Sequence, residues 1–234
     1  METIMHNFLA ESVYMGVILT LGTYCIGIWL RKTTGWALMN PLFVSILLSI
    51  AFLSFTGTTY ESYSNGAEVI SYLLTPATVC LAVPLYEQLE HLKRNYHAVA
   101  LGITAGVLAS MSSILALVLL LGMDHEAYVT LLPKSITTAI GMGVSEELGG
   151  RVPVTILVIV ITGITGNIFA DKFLRLIKVK EPVAKGIAIG SASHVIGTSK
   201  ALEMGQTEGA MSSLAIVTSG VLTVIMASAF AMLA

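Results

Sequence analysis

The sequence predicts an all-α polytopic membrane protein with roughly six to eight membrane segments. Three observations carry that expectation. The 234 residues are 55% hydrophobic and only 11% charged, with a mean hydropathy of +0.85, against about 25% charged residues in a soluble domain. Five runs (12–30, 37–55, 97–121, 152–170 and 209–233) contain no Lys, Arg, Asp or Glu. At about 1.5 Å per residue, each is long enough for a hydrocarbon core of about 30 Å. Three more apolar stretches (69–88, 131–149 and 186–204) are cut by proline, glycine or charge. Broken backbone is tolerated at membrane depth only against protein or a watery cavity, so these are expected to be interrupted or re-entrant helices. The chain then reads as a single membrane domain, 1–234. Its net charge of −2 gives no case for nucleic acid.

Run 12–30 precedes the first cation, Arg31. Cleavable signals open with positive charge, so this run is expected to be retained. Arg31 and Lys32 place its end in the cytoplasm, and Trp36 is an expected interface anchor. Run 37–55 contains Asn40-Pro41 near its start, where proline is tolerated. Residues 56–68, with Tyr60, Glu61 and Tyr63, are expected as a polar outer loop. Segment 69–88 carries Pro76 and Pro84, too close for one unbroken helix. Lys93 and Arg94 draw the next loop to the cytoplasm. Run 97–121 carries Gly102 and Gly106, a small-residue face for close helix contact. Asp124, His125 and Glu126 are expected as a short acidic loop.

Segment 131–149, LLPKSITTAIGMGVSEELG, is the most informative. Pro133 starts or breaks a helix, and Gly141 and Gly143 are expected to loosen the middle. Residues 171–185 carry Lys172, Arg175, Lys178, Lys180 and Lys185. They are expected as a cytoplasmic, interfacial amphipathic helix on anionic headgroups. Segment 186–204 contains Gly186, Gly190, Gly197 and a run of Ser and Thr. If 69–88 and 131–149 each cross once, the basic stretch falls outside. If 131–149 is a hairpin, it returns to the cytoplasm. The charge rule therefore favours a hairpin, with 186–204 as a matching hairpin from the other side.

A repeat supports this. Gly106, Gly163 and Gly220 recur every 57 residues, in ITAGVL, VITGIT and VTSGVL, and Pro76 and Pro133 share the offset. A hairpin followed by one span crosses once, so successive units are expected to be inverted.

Lys134 leads the candidate site residues. An ammonium in the bilayer costs about 2.5–3.5 kcal/mol on insertion scales, which marks it as functional unless it snorkels out. Its place after Pro133, at a helix start where the dipole favours anions, points to carboxylate binding with Ser135, Thr137 and Thr138. Ser191, Ser193, Thr198 and Ser199 line the break in the third interrupted segment, to bind ligand or to bond back to helix carbonyls; Thr75 and Pro76 hold the first. His194 could titrate near neutral pH and couple protons, with Glu203 and Glu87 closing their segments. Cys25 and Cys80 lie in apolar sequence and suit packing. No cofactor or metal is implied. There is no GxSxG, HExxH, CxxC or phosphate-cradling loop, which argues against an enzyme.

The chain resembles the LrgB/CidB family of bacterial membrane proteins, including YohK-like members. The resemblance rests on residues 84–88 (PLYEQ), 132–138 (LPKSITT) and 191–198 (SASHVIGT), continuing through Glu203 to 208–215 (EGAMSSLA). One departure is Ala139, where the family often has proline; Gly141 is expected to replace that break. The resemblance implies a multi-pass protein of the cell inner membrane. It implies an antiholin-like role with an LrgA/CidA-type partner, modulating murein hydrolase activity and autolysis. A plant relative, the plastidial glycolate/glycerate translocator, and bacterial links to pyruvate imply carriage of small organic acids. The residues themselves favour transport, and with the resemblance this implies a secondary transporter of small 2-hydroxy or 2-oxo monocarboxylates; the alternative is the antiholin-like regulatory subunit. The faces at Gly102/Gly106 and Gly186/Gly190 permit a homodimer.

Overall fold

All secondary structure described by the computed structural model is helical. It covers residues 14–35, 39–73, 76, 79–80, 86 and 89–234. Trp36, Thr75, Pro84, Glu87 and Gln88 lie outside the described residues. Two units are formed, Met1–Cys80 and Leu81–Ala234.

In the first unit, α1 (Met15–Thr34) runs through Arg31 and Lys32, whose charges suit the negative end of the helix. It stops at Gly35, which takes the left-handed conformation (φ 66°). Helix α2 (Pro41–Thr56) opens where the Asn40 side chain accepts from the Leu42 and Phe43 amides and Pro41 needs no partner. A buried hydroxyl cluster joins the two, Thr23 to Ser45 (2.9 Å) and Ser49 (3.2 Å). The stretch expected as a polar loop is instead mostly helical, as α3 (Tyr60–Gly66) and α4 (Glu68–Tyr72). Thr59 caps α3 by accepting from the Ser62 amide.

The second unit holds α5 (Leu89–Arg94), α6 (Tyr96–Leu121), α7 (His125–Leu131), α8 (Thr138–Glu147), α9 (Val152–Leu176), α10 (Pro182–Met204) and α11 (Gln206–Ala231). Among the described residues, α6, α9 and α11 are the three helices long and apolar enough to cross a membrane, with mean hydropathy of 2.2, 2.1 and 2.1. The protein is a polytopic membrane protein.

Two helical hairpins sit between these spans. The first is α7–α8. Its ends are joined by the Arg151 guanidinium, which donates twice to the Glu126 carboxylate (2.8 and 2.7 Å). The Arg151 amide also donates to Thr130 (2.8 Å). The chain therefore returns to where it entered. The supposed acidic loop is the start of α7: Asp124 caps it through the Ala127 amide (2.9 Å). The break falls at 132–137, before Ala139, not at the glycines. Gly141 and Gly143 lie inside continuous α8. Gly141 is needed there because the Ile159 δ-methyl occupies the space of a β-carbon.

The second hairpin is α10 itself, folded at His194 (φ 42°, ψ −143°). Both legs lie on the start of α11. Gly190 meets the Ser212 carbonyl, and Thr198 bonds the Ser212 hydroxyl (2.7 Å). Gly186 likewise meets Glu208, and Leu202 meets Gly209. Residues eight positions or so either side of His194 thus share neighbours, which requires the chain to double back there.

The two hairpins enter from opposite ends of the spans. Tyr128 donates to the Phe230 carbonyl at the end of α11 (2.9 Å), so the first hairpin opens at that end. Gly102 and Gly106 of α6 meet Ile187 and Ser191 of the first α10 leg in step, so the second opens where α6 begins. Adding 57 to Thr138–Glu147 gives 195–204, the second leg of α10, and adding 57 to Thr137 gives His194. The unit is an inverted repeat, hairpin plus span, made twice.

The basic stretch 171–185 is not an interfacial helix. It is the end of α9, a turn and the start of α10. Lys178 takes the left-handed conformation (φ 60°). The Val179 amide donates to the Leu174 carbonyl and the Lys178 amide to that of Arg175 (2.9 and 3.1 Å), a tight C-terminal stop.

Candidate functional site

The first hairpin carries Lys134 at its apex. Its ammonium donates to Ser135 (2.9 Å) and reaches Ser110 (3.4 Å). Ser110 and Ser135 share a hydrogen bond (2.9 Å). Ser110 lies fifteenth in the 26 residues of α6, so the ammonium sits about 16 Å from the nearer end of that helix. A lysine side chain held there is not snorkelling to an interface. Among the described residues no carboxylate is paired with it.

Lys134 faces a hollow of 580 Å³ lined by α6, the first leg of α10 and the hairpin apex. Asn95 and Glu181 line one end of it; Ser110, Lys134, Ser135 and Ser191 line the deep part. The hollow therefore runs along α6 and α10 from the end where both begin to the middle of α6. Lys93 and Arg94, and Lys178 and Lys180, adjoin the residues of its mouth. The turns at that end are rich in cations, beside Glu181 of the lining itself.

Behind its apex the first hairpin is closely packed. Burial is complete at Tyr128, Val129, Leu132 and Pro133. At its base, the hydrogen-bonded Arg151 guanidinium holds the Glu126 carboxyl below its ordinary pKa.

Of the residues singled out from sequence, the structure brings Lys134, Ser135 and Ser191 into one site. Thr137 and Thr138 begin α8, half-buried, and are not among the residues that line the hollow. Ser193 packs on Gly166, in an apolar groove between α9 and α10. Thr198 donates to the His194 carbonyl (2.9 Å) and joins Ser212. Ser199 accepts from Asn167 (2.8 Å) and donates to the Ile196 carbonyl (2.7 Å). His194 is 2% exposed. Its Nε2 lies 2.9 Å from the Ile159 carbonyl; an oxygen there can only accept, so Nε2 carries the proton. Glu203 pairs with Lys200 (2.8 Å) at the end of α10. Pro76 is exposed and belongs to the first unit.

Ser110 was missed by the sequence reading. Its signal was present: Gly102, Gly106 and Ser110 repeat every four residues on one face of α6. The faces at Gly102/Gly106 and Gly186/Gly190 are occupied within the chain, by Ile187 and Ser191 and by Glu208 and Ser212. Among the described residues no His, Cys, Asp or Glu cluster could hold a metal.

The model of the LrgB-like family matches residues 20–233. The chain is 36% identical over 223 residues to the antiholin-like protein LrgB of Bacillus subtilis (strain 168), covering 95% of this chain and 96% of that protein. It is 35% identical over 218 residues to the antiholin-like protein LrgB of Bacillus cereus (strain B4264), covering 93% and 95%. No solved structure matches it.

Proposed function

The chain belongs to the LrgB-like family, and from that premise we propose that it is an antiholin-like, multi-pass protein of the cell inner membrane. In this reading it acts beside a small LrgA/CidA-type membrane partner and restrains murein hydrolase activity and autolysis. Its likeness to proteins named antiholin-like LrgB, over nearly the whole chain, carries the reading. Co-purification from membranes tests it. A stable complex with an LrgA-type protein, and faster autolysis in cells lacking this chain, are expected. No complex and unchanged lysis would sink it.

A second reading is favoured by Lys134. An ammonium at mid-depth with no carboxylate partner among the described residues, facing a hollow near cationic turns, suits a small organic anion. The chain would then be a secondary transporter of 2-hydroxy or 2-oxo monocarboxylates, with His194 or a nearby carboxylate coupling protons. Uptake of labelled glycolate or pyruvate by sealed vesicles holding the purified chain tests this. Flux in the wild type that is lost in K134Q supports it; no flux under any imposed gradient removes it.

A further inference from the structure

The two hairpins present different residues to the same hollow. Lys134 stands three residues before the turn-over point Thr137; Ser191 stands three before His194, and the offset between Lys134 and Ser191 is the repeat's own 57. Both line the hollow. Where the first repeat offers an ammonium, the second offers a hydroxyl.

Helix α6 fixes how far apart these seats lie. Ser110 receives the Lys134 ammonium (3.4 Å). Gly106 faces Ser191, whose Oγ would be 2.8 Å from a β-carbon placed there. Gly106 and Ser110 are one turn apart on one face, so the ammonium and the Ser191 hydroxyl are separated by about 6 Å along the helix. The Ser191 hydroxyl donates to the Ile187 carbonyl (2.7 Å), which leaves its oxygen to accept from a ligand. A ligand whose two polar ends lie about 3 Å apart, with a hydrogen bond of about 2.8 Å at each end, bridges a gap of that size along a bent path. What bridges the seats is compact, with a negative charge at one end and a neutral donor at the other.

We infer that Ser191 is the charge-selecting residue of the hollow: as the uncharged repeat mate of Lys134, it limits the occupant to one negative charge and receives its neutral polar end. This rests on the second reading above, that the hollow holds a small anion. A second carboxylate brought to Ser191 would lose its hydration with no cation to meet it, which is costly in a low-dielectric site. A lysine at 191 would supply that cation.

The test is ligand-induced thermal stabilisation of the purified full chain, with glycolate, acetate and tartronate as probes. Glycolate and tartronate differ by one carboxylate; glycolate and acetate differ by the hydroxyl. The wild type is expected to bind glycolate at least tenfold more tightly than tartronate, and K134Q to bind neither. S191K is expected to reverse the preference by at least tenfold. S191A, which only removes an oxygen, covers the case in which S191K does not fold. It is expected to lose the preference for glycolate over acetate while still rejecting tartronate. Wild-type protein that binds none of the three overturns the small-anion reading, and this inference with it. Wild-type binding that K134Q abolishes, but that S191A leaves in the wild-type ratio and S191K does not redirect, overturns the role of Ser191 alone.

Discussion

Lys134 is the residue whose cost most needs explaining. Its ammonium is half-buried at mid-depth and held by two hydroxyls. Replacing it with methionine, of similar length, removes a poorly solvated charge. K134M is expected to stabilise the ligand-free protein by about 1–3 kcal/mol, part of the insertion cost of such a charge. Thermal unfolding in detergent checks this; a destabilised K134M would mean that the ammonium is structural. The glycines divide by what they touch. A β-carbon at Gly163 would lie 2.6 Å from the His194 ring, whereas one at Gly143 meets nothing within 4 Å. G163A is expected to lose about 2 kcal/mol or more through overpacking, while G143A gains up to about 1 kcal/mol in helix propensity. Equal effects of the two on the melting temperature would contradict the placement of His194 against α9.

At the scale of elements, the first hairpin is latched by Glu126 and Arg151. The guanidinium depresses the Glu126 pKa. The latch's contribution is therefore complete above the ordinary carboxylate range and is lost as pH falls through the lower, folded value. Protection of the 127–150 amides, taken relative to the intrinsic exchange rate at each pH, is expected to hold steady down to about pH 4 and to fall below it. E126Q should exchange fast at every pH, and a wild-type hairpin indifferent to acid would argue against the latch. Much of this architecture was legible in the sequence. Pro133 marked the first break, and the 57-residue glycine spacing marked the repeat. The second break was legible as a segment but not as a residue: Gly186, Gly190 and Gly197 drew attention, yet they serve close packing, and His194 takes the left-handed backbone. A histidine gives no local signal for that; the hydrogen bond to Ile159 and the fit against Gly163 hold it there. The basic stretch misleads for the opposite reason. Its charge pattern suits an amphipathic helix, but the stop at Lys178 ends α9 within it.

For the whole molecule, opposed hairpins set the sides of the membrane. Arg151 lies at the base of the first hairpin and Lys178 at the far end of the single span between them. Cysteines placed beside each are expected to be labelled from opposite faces, the one near Lys178 from the cytoplasm; labelling from one face would undo the inverted repeat. The transport reading centres on the hollow; the antiholin-like reading meets it there if restraint of lysis responds to a small anion held by Lys134.

The most direct measurement is therefore autolysis in cells that lack this chain and are supplied with the wild type or K134Q at equal membrane abundance. The account expects the wild type to restrain lysis and K134Q to behave like cells without the chain. K134Q cells that resist lysis as well as the wild type would show that the lysine at mid-membrane is not where this protein does its work.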